Sequence, residues 1–173
     1  DLEAREELFR SLYEKIPLPY QSVDAAGRLL EVNEAWQSLF GYTRAEAAGH
    51  RFEEFVDESS LATLETAFPL LLGQGRLNGI ELLVHPKRGD PRQVAINGRA
   101  SHDEHGNFVR THCLLTDVTA QRRADAETRA LLAEQRLILD NAVVGLAVFR
   151  DRRFVSCNTQ FEELLGYGPG ELI

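Results

Sequence analysis

The chain has 173 residues, with 27 acidic and 19 basic side chains giving a formal net charge of −8, and 43% of its residues are hydrophobic. That acidity excludes the broad basic face that nucleic acid or an anionic membrane would require, and no apolar run approaches the ~20 residues that span a bilayer. Two cysteines, Cys113 and Cys157, are too few for a disulfide framework and suit a reducing compartment, so a cytoplasmic location is expected.

Leu2, Leu8, Phe9, Leu12, Tyr13 and Ile16 recur at three- and four-residue spacing, which predicts an amphipathic helix over residues 1–16. Pro17 and Pro19 end it, and its apolar stripe needs cover from the following domain or from the same helix of a second chain. Residues 20–23 and 29–32 read as strands joined by the turn Asp24-Ala25-Ala26-Gly27. Asn33 is a good N-cap for a short helix with Ala35, Trp36, Leu39 and Phe40 on one face, stopped by Gly41. Thr43-Arg44-Ala45-Glu46 forms a capping box, and Phe52, Phe55 and Val56 bring bulk to the next corner. A longer helix is expected over residues 59–72, with Leu61, Leu64, Phe68, Leu71 and Leu72 inward and Pro69 kinking it or interrupting its hydrogen bonds.

Three strands follow. Ile80, Leu82 and Val84 alternate, as do Val94 and Ile96; the last strand, residues 108–116, sets Val109, Thr111, Cys113 and Leu115 on one face. The order predicts an α+β domain: a five-stranded antiparallel sheet with short helices on one face. A helix without Gly or Pro then occupies residues 118–141. Arg123 with Glu127, Asp125 with Arg129 and Arg136 with Asp140 are spaced to support one another. Ala124, Leu131 and Ile138 recur every seven residues, but Thr128 and Gln135 occupy the other seam positions, so a coiled coil and a solvated connecting helix both remain open.

Shifted by 125 positions, the segment before this helix reappears after it: Val23 falls on Val148, Asn33 on Asn158, Leu39 on Leu164 and Gly41-Tyr42 on Gly166-Tyr167. A repeat of this length is a duplicated domain. With no Met and Asp1 at its start, the chain reads as an excerpt of a longer protein. Residues 142–173 hold too little for a core of their own, so they are expected to lean on the connecting helix, the first copy or a second chain.

Three motifs, Asp24-x-x-Gly27-Arg28-x-Leu30-x-x-Asn33, Gly41-Tyr42-Thr43-x-x-Glu46 and Asp117-Val118-Thr119, together resemble the PAS family. The resemblance covers residues 8–119 and, as the start of a second copy, residues 137–173. It implies an N-terminal helix at 1–16, a first PAS domain at 17–117, a connecting signalling helix at 118–141 and part of a second PAS domain at 142–173. It further implies a non-catalytic sensory and dimerisation module of a bacterial signalling protein, pairing through its N-terminal and connecting helices. The output would be a diguanylate cyclase, with a histidine kinase, or a flavin- or haem-binding redox or gas sensor, as alternatives. Asp117 and Thr119 would relay the signal where sheet becomes linker, Asp117 by capping free N–H groups of the helix.

For a small-molecule ligand, Trp36, Phe40, Phe52, Phe55, Phe68 and Leu71 are candidate cavity walls, Tyr20 and Asn33 polar handles, and His112 a residue able to reach a cofactor. The simpler reading is a close-packed core. No cofactor is expected: residues 61–72 contain no His for haem. In the same comparison, Gly49-His50-Arg51-Phe52 lacks the Cys of photoactive flavin domains. His102-x-x-His105 with Asp103 and Glu104 lies across a turn and reads as a hairpin tip rather than a metal site. No nucleophile–base pair or phosphate-cradling loop appears, so no enzyme activity is expected.

Overall fold

The computed structural model describes residues 13–142 and 144–172, so the expected N-terminal helix lies outside the described residues except for helical residues 13–15. The chain divides into two compact units, Asp1–Ala120 and Gln121–Ile173.

In the first unit, strands β1 (Tyr20–Val23) and β2 (Leu29–Val32) form a hairpin. Its turn is held by the Asp24 carboxylate, which accepts from the N–H groups of Ala26 and Arg28, while Gly27 takes φ +76°. Helix α1 (Glu34–Phe40) starts at Asn33 and ends on Gly41 in the left-handed conformation. Helix α2 (Arg44–Ala47) has the complete Thr43/Glu46 capping box, and a 3₁₀ turn covers Phe52–Phe55. Helix α3 (Glu58–Gln74) is capped by Asp57 and runs through Pro69 to a left-handed Gly75. Pro69 therefore does not end the helix; a proline removes one N–H from the ladder, and helix continues on both sides of it.

Strands β3 (Arg76–Val84), β4 (Arg92–His102) and β5 (Phe108–Asp117) complete a five-stranded antiparallel sheet in the order β2-β1-β5-β4-β3. Both edges are occupied by irregular backbone. Leu29 on β2 exchanges hydrogen bonds with the His50 carbonyl and the Gly49 N–H, and Val56 bridges to Val84 on β3. Paired edges of this kind leave little template for aggregation.

The alternation expected for the last strand holds for Thr111, Cys113 and Leu115, which are buried, whereas Val109 beside the hairpin turn is exposed. The core lies between the sheet and the helices, with Trp36, Phe40, Leu29, Leu82 and Leu115 fully enclosed. Close approach at one point depends on Gly98 of β4. A Cβ there would stand 2.9 Å from Cys113 Sγ and 3.2 Å from Leu71 Cδ2. Gly98→Ala is therefore expected to destabilise the unit by about 1–3 kcal/mol. A urea midpoint equal to wild type would mean that α3 shifts away without cost.

In the second unit, α4 (Thr119–Asp140), whose first two residues belong to the first unit, is followed by β6 (Ala147–Arg150), β7 (Arg153–Cys157) and α5 (Thr159–Leu165). Asn158 caps α5 as Asn33 caps α1, and Gly166 ends it as Gly41 does. The hairpin departs from the ungapped repeat. Val23 pairs with Leu29, whereas it is Phe149, not Val148, that pairs with Phe154. Asp151 and Arg152, both at positive φ, form a tighter turn than Asp24–Gly27, which moves the first strand by one position. The segment leans on the connecting helix as expected: Asn158 Nδ2 donates to the Leu139 carbonyl at 2.8 Å. Its apolar side chains stay largely uncovered, Val148 at 55% and Leu164 at 77% exposure.

Along α4, Asp125 pairs with Arg122, and Arg129 reaches the Asp125 carbonyl oxygen rather than its carboxylate. Leu131, Leu132, Leu137 and Ile138 are each more than half exposed.

Candidate functional site

A cavity of about 190 Å³ lies between α3 and the sheet of the first unit. Leu61, Leu64, Ala67, Phe68 and Leu71 come from α3, Phe52 from the 3₁₀ turn, and Val23, Leu77, Ile80, Leu82, Ile96 and Cys113 from the strands. Leu61, Leu64 and Phe68 are only half-buried, which fits side chains facing a space that solvent can enter.

The candidate residues separate into three groups. Phe52, Phe68 and Leu71 line the cavity. Trp36, Phe40 and Phe55 pack on one another instead, with Trp36 stacked on Phe40 at 4.2 Å and Phe55 edge-on to both. Tyr20, Asn33 and His112 lie outside the lining. Asn33 is fully buried; its Oδ1 accepts from the N–H groups of Tyr20 and Trp36, and its Nδ2 donates to the carbonyls of Tyr13 and Leu18. That bonding makes it a structural tie. The Tyr20 hydroxyl sits 2.7 Å from His112 Nδ1. Burial, with the negative Glu31 nearby, pushes the Tyr20 phenol up to about 12, and burial together with Arg110 lowers His112, favouring a neutral ring.

Gln21, Ala67 and Cys113 are cavity residues that the aromatic pattern does not point to. Strand alternation is the available signal: Gln21 and Val23 share a face of β1, as Cys113 and Leu115 do on β5. Burial pushes the Cys113 thiol up to about 11, which favours the protonated thiol at neutral pH and disfavours nucleophilic attack. Among the described residues no cluster of His, Cys, Asp or Glu has the arrangement of a metal site.

The second feature is the junction of sheet and helix. Asp117 Oδ1 accepts from the Thr119 N–H at 2.9 Å and from its hydroxyl at 2.5 Å. The Thr119 oxygen in turn accepts from the Gln93 N–H, and the Gln93 carbonyl accepts from the Val118 N–H at 2.8 Å. Arg92 stands 3.6 Å from the other Asp117 oxygen. The start of α4 is thus bonded to the start of β4 as well as continuous with β5. Ile96 of β4 and Cys113 of β5 border the cavity on the same two strands.

A family model described as PAS fold matches residues 13–123, and a second, described as PAS domain, matches residues 133–173. A five-stranded antiparallel sheet with helices packed on it, together with these matches, defines the class: the chain belongs to the PAS family. Solved structures agree on the fold. The PAS domain of a protein from Colwellia psychrerythraea is 15% identical with a TM-score of 0.61, covering 67% of this chain and 98% of its own. The PAS domain of an HTR-like protein from Haloarcula marismortui is 24% identical with a TM-score of 0.54, covering 67% and 93%. A sensory box histidine kinase/response regulator from Burkholderia thailandensis E264 is 20% identical with a TM-score of 0.58, covering 77% and 98%. No curated protein sequence matches the chain. Among the described residues no helix is long and apolar enough to cross a membrane.

Proposed function

We propose that residues 17–117 form a ligand-responsive PAS domain whose state is passed through Asp117 and Thr119 to the connecting helix, residues 118–141, and on to the second PAS copy at 142–173. The observation that carries this reading is the shared strands: β4 and β5 border the cavity at Ile96 and Cys113 and hold the start of α4 a few residues away, at Gln93 and Asp117. A ligand acts on the helix only through a difference in its free energy between two arrangements of that junction. The chain itself performs no reaction in this reading; the output is a diguanylate cyclase, with a histidine kinase as the alternative. The histidine kinase reading draws support from the shared fold of the Burkholderia sensory box histidine kinase/response regulator.

Pairing of two chains through α4 is part of the proposal. Four large apolar side chains more than half exposed on one solvated helix favour a helical partner. The test is Asp117→Ala in the protein carrying its output domain. Loss of the carboxylate that accepts from the Thr119 N–H and hydroxyl costs about 1–3 kcal/mol locally. Response of the output to stimulus is expected to fall, with faster amide exchange in the first turn of α4. An unchanged response would dismiss this route.

A further inference from the structure

Gln21 sits on β1 in the wall of the cavity and is 2% exposed. Its Oε1 accepts from Trp36 Nε1 at 2.8 Å. An indole nitrogen can only donate, so the amide orientation is determined and the –NH₂ group is the end left over. That group has no hydrogen-bond partner among the described residues. Among the described residues the buried side-chain polar atom without a partner is Ser22 Oγ, so the Gln21 –NH₂ group is not sealed off but keeps access to open space, where a ligand oxygen can accept from it.

The rest of the wall narrows the choice of acceptor. Phe52 and Phe68 present rings, and aliphatic side chains fill most of the remaining surface. Among the described residues of the lining the one cation is Arg51, already paired with Glu53 at 3.0 Å, and Glu65 adds a second carboxylate. An anionic ligand would meet apolar walls and negative charge without a free counter-ion. Size is limiting too. An apolar cavity of about 150 Å³ holds benzene, so about 190 Å³ suits one ring with a short substituent.

We propose that the cavity recognises an uncharged aromatic carbonyl compound of about one ring, with the Gln21 amide donating to the carbonyl oxygen. This deepens the ligand-responsive reading above and rests on it. Binding would then engage the Gln21 amide on β1, the strand that pairs directly with β5 at Gln21 and Cys113.

Acetophenone, ethylbenzene and benzoate serve as probes, titrated into the full 173-residue chain and followed by calorimetry and side-chain amide NMR. Acetophenone is expected to bind about three- to tenfold more tightly than ethylbenzene, the worth of one net hydrogen bond. Benzoate is expected to bind more weakly than both, and the Gln21 amide resonances should shift only with acetophenone. Gln21→Leu should erase the preference while retaining ethylbenzene; should that variant fail to fold, the wild-type resonances decide. Equal affinity for acetophenone and ethylbenzene, an unmoved Gln21 amide, or tightest binding of benzoate would overturn the assignment while leaving a ligand-binding cavity in place. Binding of none of the three would overturn the ligand-responsive reading itself.

Discussion

Asn33→Ala is expected to destabilise the first PAS domain by about 3–5 kcal/mol, a larger loss than for any other single polar residue in it. Two effects add. The N-cap of α1 disappears, which alone costs about 0.5–2 kcal/mol. The buried Tyr20 N–H and the carbonyls of Tyr13 and Leu18 also lose their partner, at about 1–3 kcal/mol for each group that water cannot reach. Trp36 is the only tryptophan and lies at the capped turn, so its fluorescence reports the unfolding midpoint directly. Amide exchange should accelerate over residues 13–20 before the rest of the sheet. The equivalent Asn158→Ala should cost less, because its partners are only partly buried. A loss under about 1 kcal/mol for Asn33→Ala would mean that water enters and replaces the amide.

Trp36→Ala should be similarly severe, at about 3–5 kcal/mol, for a different reason. Its ring is fully buried, stacks on Phe40 and meets Phe55 edge-on at 5.6 Å, so truncation leaves a void beside rigid aromatic neighbours. Trp36→Phe separates the two roles of the residue. It retains most of the packing but leaves Gln21 Oε1 without its donor, so a smaller loss of about 1–3 kcal/mol is expected. Circular dichroism in urea measures both, since the fluorophore is gone. Equal losses for the two variants would place the whole effect in the indole hydrogen bond rather than in volume.

Local order is legible wherever a residue acts on its own neighbours. Asn33 and Thr43 as caps, Gly41 and Gly75 as helix stops, and the Asp24–Gly27 turn all follow from short-range chemistry. The second copy shows the limit of the same logic. The motifs Asn158 and Gly166 match by counting, but a two-residue turn at Asp151-Arg152 shifts the strand before them, and counting cannot see a change of turn length.

The candidate pocket is less legible, because an aromatic side chain scores the same whether it packs on another ring or faces open space. Hydrophobic pattern says which side of an element turns inward; it does not say whether the inward volume is filled. Trp36, Phe40 and Phe55 fill theirs, while Phe52 and Phe68 do not. Gln21 escapes notice as a polar residue in a short strand, since its significance depends on Trp36, fifteen positions away, occupying one end of its amide.

By itself, then, the sequence determined the order of elements, the helix caps and stops, the duplication and the PAS family, because capping, turn chemistry and periodicity act over a few residues. Tertiary structure alone decided which inward side chains enclose a cavity, which donor remains unspent within it, and that Thr119 fastens the connecting helix to Gln93, twenty-six positions away. Those outcomes depend on how distant segments pack, and the volume left between a sheet and a helix belongs to no single stretch of chain.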